Sequence, residues 1–169
     1  LCASASVRHA LYGAGLDRLL AASPGIATDD TDRSSPSGAI VGLLVRSRED
    51  RDSLTPIVRG WERIRHRAPE ARLVVFGDVE SDLLPDGAVS LPEMNGDASC
   101  SLLVFTRPAE AIRLDAMRAM ASGRSLLVGE SSGLADLVVD RESGFTFSDV
   151  ESLPDVLAGI LQMPLMLAA

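Results

Sequence analysis

Short apolar runs recur along the chain, and segments with helical periodicity separate them. Each run is rich in Val and Leu and is continuous rather than alternating with polar residues. Such runs predict strands that are buried on both faces, as in a parallel sheet. The alternation of strands with helices therefore predicts an α/β fold, a doubly wound parallel sheet of Rossmann-like type with helices on both faces. The predicted strands are AIVGLLV (39–45), ARLVVFG (71–77), 88–91, SLLVFT (101–106) and SLLVGE (125–130).

The helix predictions rest on caps and on periodicity. Thr55-Pro56 predicts a helix start, because a hydroxyl N-cap followed by Pro suits a first turn. This helix is expected to reach about Arg67. Residues 4–13 are expected to be helical, ahead of a polar loop that ends near Gly38. Further helices are predicted over 110–122, near 133–139 and near 151–162.

The composition excludes several classes of protein. The net charge of −8 disfavours general nucleic-acid binding, which needs a basic face, and no apolar run approaches the roughly 20 residues that span a bilayer. The start, LCASASVRHAL, lacks the features of a signal peptide and an initiator Met, which predicts a fragment of a longer chain. Cys2 and Cys100 lack metal-ligand spacing. Cys100 opens an apolar strand, which predicts a buried reduced thiol and a cytosolic compartment.

The loop after strand 101–106 leads into the first candidate site. Ligands of doubly wound sheets bind beyond the carboxyl ends of the strands, and a helix N-terminus there offers free N–H groups to a phosphate. Glu110 and Arg118 lie eight residues apart on the following helix, about 12 Å along its axis. This spacing fits two interpretations. In the first, the two side chains bind the two ends of an elongated ligand. In the second, Glu110 complements the helix dipole and Arg118 is solvated.

Several segments resemble the donor-binding domain of glycosyltransferase family 4, a family of retaining enzymes with the two-domain GT-B architecture. AMASG (119–123), SLLVGESSGLADLVVD (125–140) and SGFTF (143–147) are similar to its helix end, strand, turn and next strand. Further upstream, IVGLLVRSRED (40–50) and APEARLVVFGD (68–78) resemble its first two strands. SASVRHALYGAGLDRLLAASPGIA resembles the tail of the acceptor domain.

The resemblance implies a function and a domain organisation. Residues 1–33 would be the tail of the acceptor domain with the interdomain linker, and residues 34–169 would bind the donor. The implied activity is retaining transfer of a hexose from a UDP- or GDP-sugar to an acceptor, with no cofactor and no metal. The implied partners are the nucleotide sugar and the missing N-terminal domain, but no nucleic acid. The implied location is the cytoplasm, with peripheral contact at the inner membrane face.

The resemblance also assigns roles to residues by their positions. Glu110 stands where the family has the Glu that contacts the transferred sugar, which makes it the implied catalytic residue. Arg118 stands where a second Glu accepts ribose hydroxyls, and a guanidinium has no acceptor lone pair. The remaining implied donor-binding residues lie after the first strand and at the helix start: Gly42, Arg46, Arg48, Ala111, Ile112, Arg113 and Leu114.

These departures leave the activity open between three hypotheses. The chain is an active transferase in which Arg46 or Arg48 neutralises the diphosphate, or a degenerate relative that acts as a scaffold or regulatory partner. The third hypothesis is a nucleotide-binding domain without sugar chemistry. The segment between Leu91 and Ser101 is also shorter than usual, which implies the loss of a helix that flanks the nucleotide base. The Gly-rich turn of the family becomes the milder sequence 132–136, SGLAD.

Two charged features outside this site have simpler interpretations. Arg59, Arg63 and Arg67 recur every four residues on one helix. This stripe fits either an anionic lipid surface or a solvated face opposite the apolar residues of the same helix. The acidic clusters at 29–32 and 49–52 are interpreted as surface loops rather than a metal site.

Overall fold

The structure is a computed structural model that describes residues 39–45, 48–92, 100–106, 113–121 and 123–163. The strands in these residues are β1 (Ile40–Leu44), β2 (Arg72–Phe76), β3 (Val89–Leu91), β4 (Leu102–Phe105), β5 (Ser125–Gly129) and β6 (Gly144–Phe147). The α-helices are α1 (Arg48–Arg67), α2 (Arg113–Ala121) and α3 (Leu153–Ile160). Short 3-10 turns cover Ser81–Leu83, Ala135–Leu137 and Val150–Ser152.

The strands form one parallel sheet in the order β3-β2-β1-β4-β5-β6. The chain runs outward from β1 to the edge strand β3, crosses back to β4, and then runs outward to β6. The strand order therefore reverses between β1 and β4, where Leu43 lies opposite Val104. This arrangement confirms the predicted doubly wound α/β fold, and ligands of such sheets bind at the switch point.

Helices cover the two faces of the sheet unequally. Alternate strand residues such as Leu43 and Val75 point to the first face, where α1 and α3 pack on them and on each other. The intervening residues point to the second face, where Ala116 and Ala119 of α2 join them. The core therefore has two layers, and each apolar run contributes to both of them. This is why the runs are continuous.

Helix α1 begins at Arg48, so the prediction that it starts at Thr55-Pro56 was wrong. Pro56 lies inside the helix, where it removes one backbone hydrogen bond. The helix continues through it because Leu54 is buried in the first layer of the core. Packing of an apolar face outweighs local propensity here. The preceding sequence, REDRDS, is polar and carries no apolar periodicity that would reveal the extra turns.

The other predicted elements are present with smaller differences. The segment near 133–139 forms only the 3-10 turn Ala135–Leu137, and the C-terminal helix is a 3-10 turn followed by α3. Within the described part of the chain, no helix is long and apolar enough to cross a membrane. The predictions for residues 4–13 and for the start of helix 110–122 fall outside the described residues.

Candidate functional site

The candidate site lies at the carboxyl ends of β1 and β4, where the strand order reverses. Val45 follows β1, and Thr106 follows β4. The hydroxyl oxygen of Thr106 is buried and has no hydrogen-bond partner, the single such side-chain atom among the described residues. The site thus combines a sheet edge that favours ligands with a polar atom that the fold leaves unsatisfied.

The loop after β2 is fixed against β1 beside this edge. The N–H of Val45 donates to the carbonyl of Phe76 (2.8 Å), and a Cβ on Gly77 would lie 1.9 Å from the Val45 carbonyl oxygen. With φ of 148°, Gly77 is the residue type that this close approach requires. The Arg51 guanidinium donates to the carbonyl of Asp78 (2.6 Å), which ties this loop to α1.

Helix α2 is positioned by its C-terminal cap. Gly123, with φ of 75°, donates its N–H to Met120 (2.9 Å), and Arg124 donates to Ala119 (2.9 Å). These two bonds form a Schellman motif, which ends the helix and leads directly into β5. Because α2 runs back from the end of β4 to the start of β5, its first turn lies at the same sheet edge as Val45 and Thr106.

The first turns of α2 hold a carboxylate beside a guanidinium. Asp115 lies in the first turn with its side chain only 16% exposed, and Arg118 is 62% exposed one turn later. The distance between Arg118 Nη1 and Asp115 Oδ1 is 4.0 Å. Arg118, which the sequence resemblance aligned with the second Glu of family 4, therefore has a carboxylate next to it on the same helix.

The turn after β5 uses its own backbone donors. The N–H of Ser132 donates to Gly129 (2.9 Å), that of Leu134 to the Ser132 hydroxyl (3.3 Å), and that of Ala135 to the Ser132 carbonyl (3.1 Å). Ser132 is buried, and its hydroxyl and carbonyl oxygens both accept hydrogen bonds within the turn SGLAD. The N–H groups of Ser132, Leu134 and Ala135 are therefore occupied within the turn.

The structure places some of the predicted site residues and leaves others outside its described part. Gly42 lies in the middle of β1, where an added Cβ would meet Leu103, Cys100 and Phe76 at 2.6–2.9 Å, so this glycine makes room for the second core layer. The backbone of Arg48 is the first residue of α1, and Arg113 and Leu114 open α2. Residues Arg46, Glu110, Ala111 and Ile112 lie outside the described residues.

Sequence reasoning missed Asp115. The signal was present in Leu114-Asp115-Ala116-Met117, which is similar to the Ala-Met that follows the expected Glu, one helical turn before Arg118-Ala119-Met120. The two Ala-Met pairs compete for the same alignment. The sequence prediction aligned AMASG (119–123) with the Ala-Met-Ala-x-Gly pattern of the family, which placed the second Glu position at Arg118.

The arginine stripe of α1 lies on the solvent side of the helix. Arg59, Arg63 and Arg67 are exposed, whereas the opposite residues Trp61 and Ile64 are buried in the first core layer. Arg63 Nε lies 3.6 Å from Asp155 Oδ1 on α3. The stripe thus forms the polar face of an amphipathic helix, and its contact with lipid stays a prediction.

Cys100 is a buried free thiol, as the sequence predicted. Burial raises the pKa of this thiol to about 12, and the nearby Arg124 offsets part of the increase. A thiol with this pKa stays protonated at neutral pH and is a poor nucleophile. The residue belongs to the core rather than to the site.

The fold resembles those of several solved glycosyltransferases. A mutant of S. aureus TarM in complex with Fondaparinux, alpha-GlcNAc-glycerol and UDP matches with a TM-score of 0.74 and 15% identity over 98% of this chain and 37% of that chain. Anabaena HepE in complex with UDP-glucose matches with a TM-score of 0.69 and 16% identity over 99% of this chain and 55% of that chain. No protein-family model and no curated protein matches the sequence.

A third match corresponds in length to this chain. The C-terminal domain of LpcC, a group 1 glycosyl transferase from Francisella tularensis, matches with a TM-score of 0.59 and 15% identity over 85% of this chain and 91% of that domain. The chain spans only about a third to just over half of TarM and HepE. At these identities the likeness establishes the fold alone. The chain has the Rossmann-like fold of the C-terminal domain of GT-B glycosyltransferases.

Proposed function

We propose that this chain is the donor-binding part of a glycosyltransferase that transfers a hexose from a UDP- or GDP-sugar with retention of configuration. The proposal rests on the fold and on the contents of the sheet edge at the switch point. TarM and HepE, which share the fold, were solved with UDP and UDP-glucose. Because this chain spans part of their length, the acceptor would bind to a domain outside it.

The main observation behind this proposal is Asp115, a largely buried carboxylate in the first turn of α2. In the proposed site it accepts hydrogen bonds from hydroxyl groups of the nucleotide sugar, a role that Arg118 cannot fill. Arg118 supplies positive charge beside it. Hydrogen bonds to a charged acceptor contribute about 1.5–3 kcal/mol each, enough to decide whether a donor binds.

The proposed chemistry needs charge stabilisation more than a dedicated base. Departure of a nucleoside diphosphate builds negative charge on its phosphate oxygens, which fixed cations and N–H dipoles stabilise. We assign this role to Arg118 and to the basic residues that follow β1, Arg46 and Arg48. Glu110 is assigned to the transferred sugar. A resident metal ion is not part of the proposed mechanism.

The test is a binding measurement on the wild type and three variants of the chain. Wild type is titrated with UDP, UDP-glucose, GDP and ADP by calorimetry and thermal shift. A ligand at a hundred times its Kd stabilises the fold by about 2.7 kcal/mol, which is several degrees in Tm for a domain of this size. Asp115→Asn keeps the shape but removes the charge, and we expect it to weaken binding at least tenfold.

Two further variants complete the experiment. Asp155→Asn removes an exposed carboxylate on α3, away from the sheet edge, and is expected to bind like wild type. Arg118→Glu places a second acidic group beside Asp115. If wild type binds no nucleotide and Arg118→Glu does, the site is silenced, the proposal fails, and a regulatory role remains.

A further inference from the structure

The proposed function does not use the arginine stripe of α1, Arg59, Arg63 and Arg67. These residues are four positions apart, so they follow one another along one face of the helix and span about 12 Å. Every exposed residue between positions 59 and 67 is ionisable, and one of them is acidic: Arg59, Glu62, Arg63, Arg65, His66 and Arg67. This part of the helix surface is therefore charged along its whole length.

The stripe carries positive charge in a chain that is acidic. Residues 59–72, RGWERIRHRAPEAR, contain five Arg and two Glu, which gives a net charge of +3 with His neutral. Because the whole chain has a net charge of −8, the remaining 155 of its 169 residues carry −11. Such an asymmetry orients a protein at an anionic surface, because one face is attracted while the remainder is repelled.

An acidic neighbour offsets only part of the stripe. Arg63 Nε lies 3.6 Å from Asp155 Oδ1 on α3, and both side chains are more than half exposed. An exposed ion pair of this kind is weak, so Arg63 keeps part of its attraction for other anions. Among the described residues, no carboxylate lies within 4.0 Å of Arg59 or Arg67. Both guanidinium groups can therefore contact an external anion.

The chemistry of this face favours a layer of lipid headgroups over a protein partner. Protein interfaces have an apolar or aromatic centre, which the exposed positions between 59 and 67 do not supply. Trp61 and Ile64, on the apolar side of the same helix, are buried in the core. The folded domain therefore cannot insert this helix among acyl chains. Attraction between guanidinium groups and anionic headgroups needs neither an apolar centre nor insertion.

Nucleic acid is the other polyanion that a basic face can bind. Single strands bind where aromatic side chains stack on the bases, but Trp61 and all four Phe are buried. A duplex is held by several phosphate contacts along a curved backbone, and the residues outside 59–72 are acidic on balance. A planar headgroup layer meets the stripe and leaves the acidic remainder in solvent.

We propose that the arginine stripe docks this chain on a membrane surface that contains anionic phospholipid. Helix α1 begins at Arg48, beside the carboxyl ends of the strands, and ends at Arg67, beside the start of β2. Its 20 residues span about 30 Å, so the stripe lies at the far end of the helix from the candidate site. Docking leaves the carboxyl edge of the sheet accessible. The proposal concerns this surface and does not depend on glycosyl transfer.

The test measures binding of the chain to vesicles by co-sedimentation. Vesicles of equal parts phosphatidylglycerol and phosphatidylcholine are compared with vesicles of phosphatidylcholine alone. We expect binding to the anionic vesicles that weakens as the salt concentration rises, and no binding to the neutral ones. The emission of Trp61, the single Trp of the chain, is expected to stay unchanged on binding, because a surface contact leaves the buried side of α1 in place.

Four substitutions separate the stripe from the net charge. One arginine near an anionic leaflet contributes about fivefold to binding, so Arg59→Gln is expected to weaken it about fivefold, and Arg59→Gln with Arg67→Gln about 25-fold. Asp155→Asn releases Arg63 and is expected to strengthen binding, by up to about fivefold. Arg141→Gln is the matched control, since it removes an arginine that is 74% exposed on another part of the surface. It is expected to leave binding within about twofold of wild type.

Several outcomes would overturn the proposal. Circular dichroism and Trp61 emission first check that each variant is folded. Equal losses in Arg59→Gln and Arg141→Gln would mean that the net charge decides, not the stripe. Absence of binding to the anionic vesicles at low salt would exclude the lipid surface. Tighter binding to a DNA duplex than to these vesicles, lost in the same variants, would assign the stripe to nucleic acid instead.

Discussion

Thr106, the residue directly after β4, has a buried hydroxyl that no hydrogen bond satisfies. An unsatisfied buried polar group costs about 1–3 kcal/mol. Thr106→Val replaces this hydroxyl by a methyl group of similar shape. We expect the free energy of unfolding of the ligand-free chain to rise by about 1 kcal/mol, measured by urea denaturation.

Thr146 in β6 is the matched control for this prediction. Both threonines are partly buried, but the Thr146 hydroxyl is not among the buried unsatisfied atoms of the described residues. Thr146→Val is expected to change stability much less. A clear loss of stability in Thr106→Val would mean that the hydroxyl has a partner in solution, and the prediction would be wrong.

The Cys100 thiol gives a prediction about alkaline pH. Its pKa rises from 9.0 to about 12 in the folded chain because the side chain is buried. Below pH 9 both states hold the proton. Between pH 9 and 12 the unfolded chain ionises while the folded chain does not, so folding stability falls as pH rises. The slope from this one group approaches about 1.4 kcal/mol per pH unit.

The experiment compares Cys100→Ala with its parent, both carrying Cys2→Ser. The sequence contains no Lys, so the other side chain that titrates in this range is Tyr12. We expect Cys100→Ala to lower stability at neutral pH through the cavity it leaves and to flatten the alkaline decline. An equal decline in both proteins would remove Cys100 as its cause.

The sequence predicted the environment of a residue correctly where the adjacent residues in the chain determine that environment. Cys100 was expected to be buried because an apolar strand follows it, and it is. The pairing of Arg118 with Asp115 depends on two side-chain conformations and on how deeply each residue sits on the helix. The sequence contains both residues at helical spacing, but it does not say which of the two lies nearer the core.

At the scale of elements, two helical glycines give opposite predictions. A Cβ on Gly60 of α1 would lie 2.3 Å from Pro154 Cβ on α3, whereas a Cβ on Gly159 of α3 would meet nothing within 4 Å. Gly60→Ala is expected to destabilise the fold by about 1–3 kcal/mol through overpacking. Gly159→Ala is expected to stabilise it by about 0.5–1 kcal/mol through helix propensity.

Thermal and urea unfolding of both variants check this pair, and each serves as the control for the other because both make the same chemical change in a helix. If Gly60→Ala were neutral, α1 and α3 would have to be farther apart than the structure shows. A destabilising Gly159→Ala would indicate a contact on α3 outside the described residues.

Element boundaries were predictable where burial alone decides them. The strands agree with the prediction to within a residue or two, because continuous apolar runs stop where the sheet stops. The start of α1 was not predictable, because its first turns are polar and Thr55-Pro56 has the pattern of a helix N-terminus. Only the packing of Leu54 on the sheet shows that the helix extends further.

At the scale of the whole molecule, the strand order predicts that backbone amides are protected from hydrogen exchange most strongly in the central strands and least at the edge. β1 and β4 are paired on both sides at the centre of the sheet, and β3 is a three-residue edge strand. We expect amide hydrogens of β1 and β4 to exchange most slowly, close to the rate of global unfolding, and those of β3 to exchange fastest among the strands. Native-state hydrogen exchange with mass spectrometry checks this order.

β6, the other edge strand, is the internal control because it is longer and partly buried. If β3 were protected as well as β4, its free edge or its exposed face would have to be covered.

The architecture was predictable from the sequence because alternating strands and helices permit few topologies. The candidate site was only partly predictable. The topology of the sheet was predicted and is confirmed, and it determines where the strand order reverses. Which side chains bind a ligand at that edge stays a prediction, because the residues there depart from the pattern that the sequence resembles.

The contact between Gly60 and Pro154 has a consequence for synthesis. Helix α3 begins 86 positions after α1 ends, counting from Arg67 to Leu153. At about 5–20 residues per second, a ribosome needs roughly 4–17 s to make that stretch. During this time the α3-facing surface of α1 has no cover on the nascent chain. Incomplete chains therefore expose an apolar surface that the finished fold buries.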